Sequence, residues 1–343
     1  MGLRTSRKVS VIIPTHNVRP YITQTLEAIR KQQQVQNVEI EISIHDDGSI
    51  DGTYDICKAY LESNCKQEEY ILSRSDVSRG PGIARNIAVR QSSGEFLCFN
   101  DADDVSLPNR VQAQMDIWFE YSVDEILIGS RFVRDPPDAT RHYAAFLNEL
   151  SDEDLHLKAF RELTLIQPTW FLSRKLFDSV SGYREGIIAE DLELFHRILD
   201  IPSIRLVCCP QVLVIYRHLS GSVSSKTSRL ELVKVRVDAF QRRILTRPNW
   251  ISFSVWGAGR DGRAFFEALN PENRKRIREF VDIDENKIKS SFHHSGIIIP
   301  VRHISQVQKP FIVCVAMGRT GGELEANIKA TNALEGIDYW HFN

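Results

Sequence analysis

Two acidic clusters are the residues most able to do chemistry. Asp101-Ala102-Asp103-Asp104 sets three carboxylates within four residues, directly after the apolar run Phe96–Phe99. Carboxylates this close repel one another unless a cation or a set of donors relieves them, and a hard divalent ion bridging to phosphate oxygens does so. An isolated Asp-x-Asp is a loop or a helix cap; its position at the end of a buried strand is what points to a site. The second cluster, Asp46-Asp47-Gly48-Ser49 continuing to Asp51 and Thr53, follows another strand-like run, Glu39–His45. A turn with an N-cap at Ser49 or Asp51 accounts for it structurally. A carboxylate there can also accept from an imide N–H, the group that separates uracil from cytosine. Three smaller elements join these. Val9–Ile13 is an apolar strand ending in Pro14, Thr15 and Asn17; Gly82–Asn86 opens a helix on which Arg85 can meet a base or phosphate; and Glu190-Asp191 stands at a helix start, where the macrodipole favours acids in any case.

The elements that must position these residues alternate regularly. Strands are expected at Val9–Ile13, Glu39–His45, Tyr70–Ser73 and Phe96–Phe99, with helices over Tyr21–Gln32, Tyr54–Leu61 and Ile83–Gln91 between them. That pitch predicts a parallel α/β sheet whose polar residues gather at the strand ends, where such sheets bind ligands. Beyond Trp118 the pattern is less regular: a breaker at Arg134–Asp138, a helix over Asp152–Leu163, a strand at Thr169–Phe171, a helix over Asp191–Leu199 and a strand at Val212–Tyr216. Trp170 and Phe171 read as core or as the wall of an acceptor pocket, His142 and Tyr143 as surface loop or as residues that touch substrate.

The polar stretch Ser220–Ser225 closes a first domain, 1–225. A basic helical linker over 226–248 follows, with seven basic and two acidic residues between Lys226 and Arg247. A solvated helix face is its ordinary explanation; binding an RNA backbone is the alternative. The remainder, 249–343, starts again with a strand, then Gly257-x-Gly259-x-x-Gly262, with Asp282 or Asp284 ending the next strand. This spacing is compatible with a dinucleotide site. About 90 residues are few for a complete dinucleotide-binding fold, so a truncated Rossmann-like domain serving stability or acceptor docking is the expectation, with Trp256 packed inside it. Two domains also suit a chain of 343 residues.

Composition limits the alternatives. With 42% hydrophobic and 26% charged residues the chain is an ordinary globular one. A formal net charge of −2 excludes coating nucleic acid or an anionic membrane by bulk charge, though not a local basic face. No stretch approaches about 18 consecutive apolar residues, and Val9–Pro14 is too short for a signal or a span. Six cysteines without a Cys-x-x-Cys pair read as reduced thiols. The expectation is a cytoplasmic protein.

In order and spacing, IIPTHN, HDDGSIDGT, GPGIARNIA, FLCFNDADD, GYREGIIAEDLELFHRI and IYRHLSGSVS resemble the family-2 nucleotide-sugar glycosyltransferases with the GT-A fold. The resemblance implies an inverting transfer from a UDP-sugar. It implies that Asp47 contacts uracil, with Pro14, Thr15, Asn17 and Arg85 around the nucleotide and Asp101 at the ribose or metal. Asp103 would ligate Mn2+ or Mg2+, His218 would touch metal or phosphate, and Asp191 would be the base, with Glu190 as substitute. Further segments, among them QPTWFLSRKLFDSVSGY, SVWGAGRDGRAFFEAL, FVDIDENKI and EGIDYWHFN, are similar to a narrower group, the enzymes that galactosylate queuosine in tRNA. That likeness runs from Val9 to Asn343. It implies UDP-galactose as donor and queuosine-modified tRNA-Tyr as acceptor; the group's older name would imply N-acetylglucosamine transfer to a glycan or protein instead. Oligomeric state is left open.

Overall fold

The structure, a computed structural model, describes residues 6–219, 227–294, 296–316 and 321–342. The stretch Ser220–Ser225 and Lys226 lie outside the described residues. The chain forms two compact units: Met1–Leu155 with Thr164–Lys226, and His156–Leu163 with Thr227–Asn343.

The first unit is built on β1 (Arg7–Thr15), β2 (Val38–Asp47), β3 (Tyr70–Ser75), β4 (Phe96–Phe99), β5 (Val105–Ser106), β6 (Ile126–Asp135), β7 (Phe171–Ser173) and β8 (Arg205–Arg217). They form one eight-stranded sheet in the order β3-β2-β1-β4-β7-β6-β8-β5. Val9, Ile12, Ile13, Phe96, Leu97 and Phe99 are fully buried, the mark of strands covered on both faces. The helices α1 (Ile22–Arg30), α2 (Thr53–Asn64) and α3 (Pro81–Gln91) connect the first four strands. Because β1, β2 and β4 are mutually parallel, Thr15, Asp47 and the Asn100–Asp104 loop emerge at one edge of the sheet. The sheet is mixed rather than wholly parallel: β7 runs antiparallel to β4 and β6, and β5 antiparallel to β8.

The second half of this unit departs most from expectation. β6 is a ten-residue strand without an expected counterpart, and β8 extends well to the N-terminal side of Val212. The helix expected over Asp152–Leu163 stops at Leu157. Trp170 and Phe171 are fully buried core residues, and the Trp170 indole donates to the Leu165 carbonyl at 2.8 Å, so neither walls a pocket.

In the second unit β9 (Phe253–Trp256), β10 (Ile277–Asp282), β13 (Val301–His303), β14 (Phe311–Val313) and β15 (Tyr339–His341) form a sheet in the order β13-β10-β9-β14-β15, parallel throughout. A hairpin of β11 (Phe292–His294) and β12 (Ile297–Ile299) stands apart. The basic helix occupies Arg229–Arg243, capped by Ser228, whose hydroxyl accepts from the Glu231 amide. It is not a spacer: Val233, Val237 and Phe240 are buried in the core of this unit, beside Phe160 from the 156–163 segment. The bounds therefore differ from the expected 1–225, 226–248 and 249–343. No helix among the described residues is long and apolar enough to cross a membrane.

Candidate active site

The site grows out of the parallel strand tips. At the end of β2, Asp46 is fully buried and serves as a brace: Thr15 Oγ1 donates to it at 3.0 Å, the Ser49 amide at 3.0 Å and the Ser49 hydroxyl at 2.6 Å. Asn17, at φ 52°, takes the Ile50 amide on Oδ1 at 2.9 Å and gives its own amide to Ser49 Oγ at 2.9 Å. The tip of β1, with Pro14, Thr15 and Asn17, is thereby tied to the turn after β2. Asp47 turns the other way. Its carboxylate accepts from Ser78 Oγ at 2.7 Å, the Arg79 amide at 3.0 Å and the Gly80 amide at 2.8 Å, fixing the loop that feeds α3.

Arg85, on α3, is the centre of the arrangement. It is 5% exposed, donates to Asp101 Oδ1 at 2.7 Å and to Glu190 Oε1 at 2.9 Å, and lies 5.5 Å from the Tyr183 ring centroid. Glu190 and Asp191 begin the helix Glu190–Ile198. That helix start approaches α3 so closely that a Cβ on Gly82 would sit 3.1 Å from both Glu190 Cγ and Tyr183 Cβ. Burial pushes the Glu190 carboxyl up to about 7 even against the Arg85 charge, and burial raises Asp191 as well. Asp191 Oδ1 accepts only its neighbour's amide, Leu192, at 2.7 Å, so this carboxylate forms no salt bridge among the described residues.

The loop after β4 carries the second acidic group. Burial, and then the neighbouring Asp101 charge, push Asp103 up to about 6. Asp104 is fully buried and is raised as well, by burial and then by Asp103; its Oδ1 accepts the Arg217 amide at 2.9 Å, while its Oδ2 has no hydrogen-bond partner among the described residues. Arg217 also donates to the Asp103 carbonyl at 2.5 Å, so the end of β8 holds the loop. Asp101 and Asp103 are hard oxygen donors, and with the oxygens of a diphosphate they suit Mg2+ or Mn2+, which binds through one or two carboxylates plus phosphates.

Asp101, Asp103 and His218 are not gathered into a three-ligand metal site: no three His, Cys, Asp or Glu groups among the described residues are placed to hold an ion. Arg85 takes up one oxygen of Asp101. His218 is an exposed residue whose amide donates to the Asp135 carbonyl at 2.9 Å, next to Arg217, whose own amide meets Asp104. Sequence reasoning also passed over Tyr183, Arg217 and the Ser78–Gly80 loop. Tyr183 lay in the GYREG run, Gly80 opened GPGIARNIA and Arg217 preceded His218 in YRHLSGS, whereas Ser78 and Arg79 carried no signal.

This geometry can be compared with known proteins. The model of the glycosyl transferase family 2 matches residues 10–181, about half of the chain. Glycosyltransferase GlyG of Streptococcus pneumoniae is 26% identical over 250 residues, 70% of this chain and 80% of that protein. The poly(ribitol-phosphate) beta-N-acetylglucosaminyltransferase TarS of Staphylococcus aureus is 40% identical over 98 residues, 28% of this chain but only 16% of that protein. Among solved structures, S. aureus TarS 1–349 in complex with UDP-GlcNAc matches at a TM-score of 0.51 and 22% identity, over 68% of this chain and 66% of that one. The mannosyltransferase PcManGT of Pyrobaculum calidifontis, in complex with GDP-Man and Mn2+, matches at 0.51 and 20%, over 69% and 64%. At these identities the structural likeness concerns the fold, which is the α/β GT-A fold. The matched residues include Asp47, Arg85, Asp101 and Asp103, and the chain belongs to glycosyl transferase family 2.

Proposed function

We propose that the first unit is an inverting, metal-dependent transferase that moves galactose from UDP-galactose to the queuosine of tRNA-Tyr in the cytoplasm. The observation that carries the transferase reading is the Arg85 bridge, which joins Asp101 on the donor side to Glu190 beside Asp191 on the acceptor side. In this reading Asp47 accepts from the uracil imide, Pro14, Thr15 and Asn17 flank the nucleotide, and Asp103 with Asp101 would hold Mn2+ or Mg2+. Bound there, the ion would supply charge neutralisation for the departing diphosphate. Asp191, which forms no salt bridge among the described residues, takes the proton of the acceptor hydroxyl as its oxygen attacks the anomeric carbon from the face opposite the diphosphate. Glu190, held by Arg85, positions that arginine and is the less suited base.

Support for the acceptor comes from the sequence likeness that runs through both units, the second of which we read as a Rossmann-like domain. A second reading is favoured by the TarS matches: UDP-sugar transfer, N-acetylglucosamine included, to another acceptor such as a glycan, a protein or a polyol phosphate. A transfer assay separates the two. Queuosine-containing and queuosine-free tRNA-Tyr are offered with UDP-galactose, UDP-glucose, UDP-N-acetylglucosamine and GDP-mannose. Selective labelling of the queuosine-containing tRNA from UDP-galactose is expected, and equal labelling of both tRNAs, or of neither, removes the proposed acceptor. Asp103→Ala is expected to abolish transfer; near-normal turnover of that variant in chelator-treated buffer would remove the metal.

A further inference from the structure

The transferase chemistry leaves one cavity unused. It lies within the second unit, encloses about 530 Å³ and is lined in part by Trp256, Gly257, Gly259, Asp282, Lys287 and Cys314. That volume is ample for a small ligand. The cavity opens at the carboxyl ends of β9, β10 and β14. In the order β13-β10-β9-β14-β15 the chain runs outward to one side from β9 and then returns to its other side, so the β9/β14 boundary is the point where a parallel sheet leaves a crevice for a ligand.

The glycines at 257, 259 and 262, which run from the end of β9 into the helix Arg260–Ala268, are there for different reasons. Gly257 has φ +109°, and a Cβ on it would lie 2.8 Å from Val315 Cγ2. A Cβ on Gly262 would lie 1.9 Å from the Gly257 carbonyl oxygen, so the helix reaches the loop only without a side chain there. Neither argument applies to Gly259. Its φ of −89° is open to any residue, and the only atom near its missing Cβ is Lys287 Nζ at 3.7 Å. Packing within the protein does not demand glycine at this position; close approach of a ligand to the backbone does.

Polar groups converge on the same space. The amides of Gly259 and Arg260 have no backbone acceptor among the described residues. At the tip of β10, Asp282 Oδ2 accepts the Ala258 amide at 2.9 Å and the Lys287 ammonium at 3.0 Å. The lysine therefore stands between the carboxylate and the open space over Gly259. Asp261 in the first helical turn is neutralised by Arg229 at 2.6 Å and Arg260 at 3.2 Å, so its charge does not oppose an anion on the loop. We propose that this cavity is a second nucleotide site, taking a nucleoside diphosphate derivative with its pyrophosphate over Gly259 against Lys287 and its ribose diol on Asp282. The inference does not depend on the transfer reaction.

Two sources offer that chemistry, a nicotinamide or flavin dinucleotide and a nucleotide-sugar, and binding stoichiometry distinguishes them. The full chain and its Gly259→Val variant are titrated by calorimetry with NAD+, NADP+, FAD and UDP-galactose. The unliganded melting temperature is followed alongside, because a Cβ at this position meets no protein atom closer than Lys287 Nζ at 3.7 Å and the variant is expected to leave it unchanged. A dinucleotide bound at one per chain, and weakened by at least about tenfold in Gly259→Val, identifies the first source. UDP-galactose bound at two per chain in the parent and one in the variant identifies the second. Lys287→Ala is expected to weaken the same ligand and to lower the melting temperature modestly, because buried Asp282 loses its ammonium partner. Absence of any binding beyond one UDP-galactose per chain, or binding that Gly259→Val leaves untouched in a folded protein, overturns the proposal.

Discussion

Among the described residues Arg85 is the only cation that touches both Asp101 and Glu190, and it does so from a buried position. Removing one partner of a buried pair leaves the other charge uncompensated. Arg85→Ala is therefore expected to lower stability in urea unfolding by about 3–5 kcal/mol. Arg85→Lys restores the charge but cannot span two carboxylates with one point donor, and is expected to recover only part of that loss. Asp191→Asn is expected to leave the fold intact and lower kcat by about 10²–10⁴-fold, with the donor KM little changed. The pH dependence follows from burial. Burial raises Asp191, and a base acts only when ionised, so kcat should fall with acid in a limb above the ordinary carboxylate range. A limb at or below that range, or none, would remove Asp191 from the role. The acids themselves were legible in the sequence, because carboxylates directly after apolar runs have few structural reasons to be there. Their partners were not: Asp104 meets the Arg217 amide across 113 positions, and Arg85 meets Glu190 across 105, distances that no local pattern encodes.

At the scale of elements, the site depends on β1, β2 and β4 lying in register, and a buried carboxylate helps to set it. Glu41 on β2 accepts from Ser10 Oγ on β1 at 2.7 Å and from the Ser93 amide at 2.8 Å, with Lys8 at 3.0 Å. Burial alone would push this carboxyl up, but the hydrogen bonds from Ser10 and Ser93 and the lysine outweigh it and hold it at about 2, against an ordinary 4.5. A folded-state value below the unfolded one gives stability that is present above about pH 4.5 and is lost as pH falls toward 2. Glu41→Gln is expected to cost about 2–3 kcal/mol at pH 7. The difference should shrink as urea titrations are repeated toward pH 3; a gap independent of pH would show that shape rather than charge is what matters there. The elements around Glu41 were readable because β1 and β4 are short apolar runs closed by polar residues and β2 alternates as EIEISIH. β6 and β8 were harder to read. β6 begins as a buried run and alternates after Ser130, and β8 is interrupted by Pro210, so neither keeps one period along its length.

On the scale of the whole molecule, the least legible feature is that the chain enters the second unit twice. His156–Leu163 belongs with Thr227–Asn343, although Leu155 and Thr164 on either side belong to the first unit. Nothing in the composition of this short segment marks the excursion, and its aromatic partners lie far along the chain, beyond the polar stretch that closes the first unit. Phe160 is fully buried there, with ring centroids 5.1 Å from Phe240 and 5.2 Å from Trp340. The second unit is therefore not an appendage that can be removed after the basic helix begins. Truncating an aromatic residue in such a cluster loses both its burial and the edge-to-face contacts around it. Phe160→Ala in the full chain is expected to cost about 3–5 kcal/mol in urea unfolding. A fragment ending at Lys226 keeps Phe160 but loses Phe240, Trp340 and Phe342, and is expected to expose the ring, bind a hydrophobic dye and self-associate. A monomeric fragment that melts as the full chain does, together with a Phe160→Ala variant of unchanged stability, would assign 156–163 to the first unit and restore a simple boundary near residue 226.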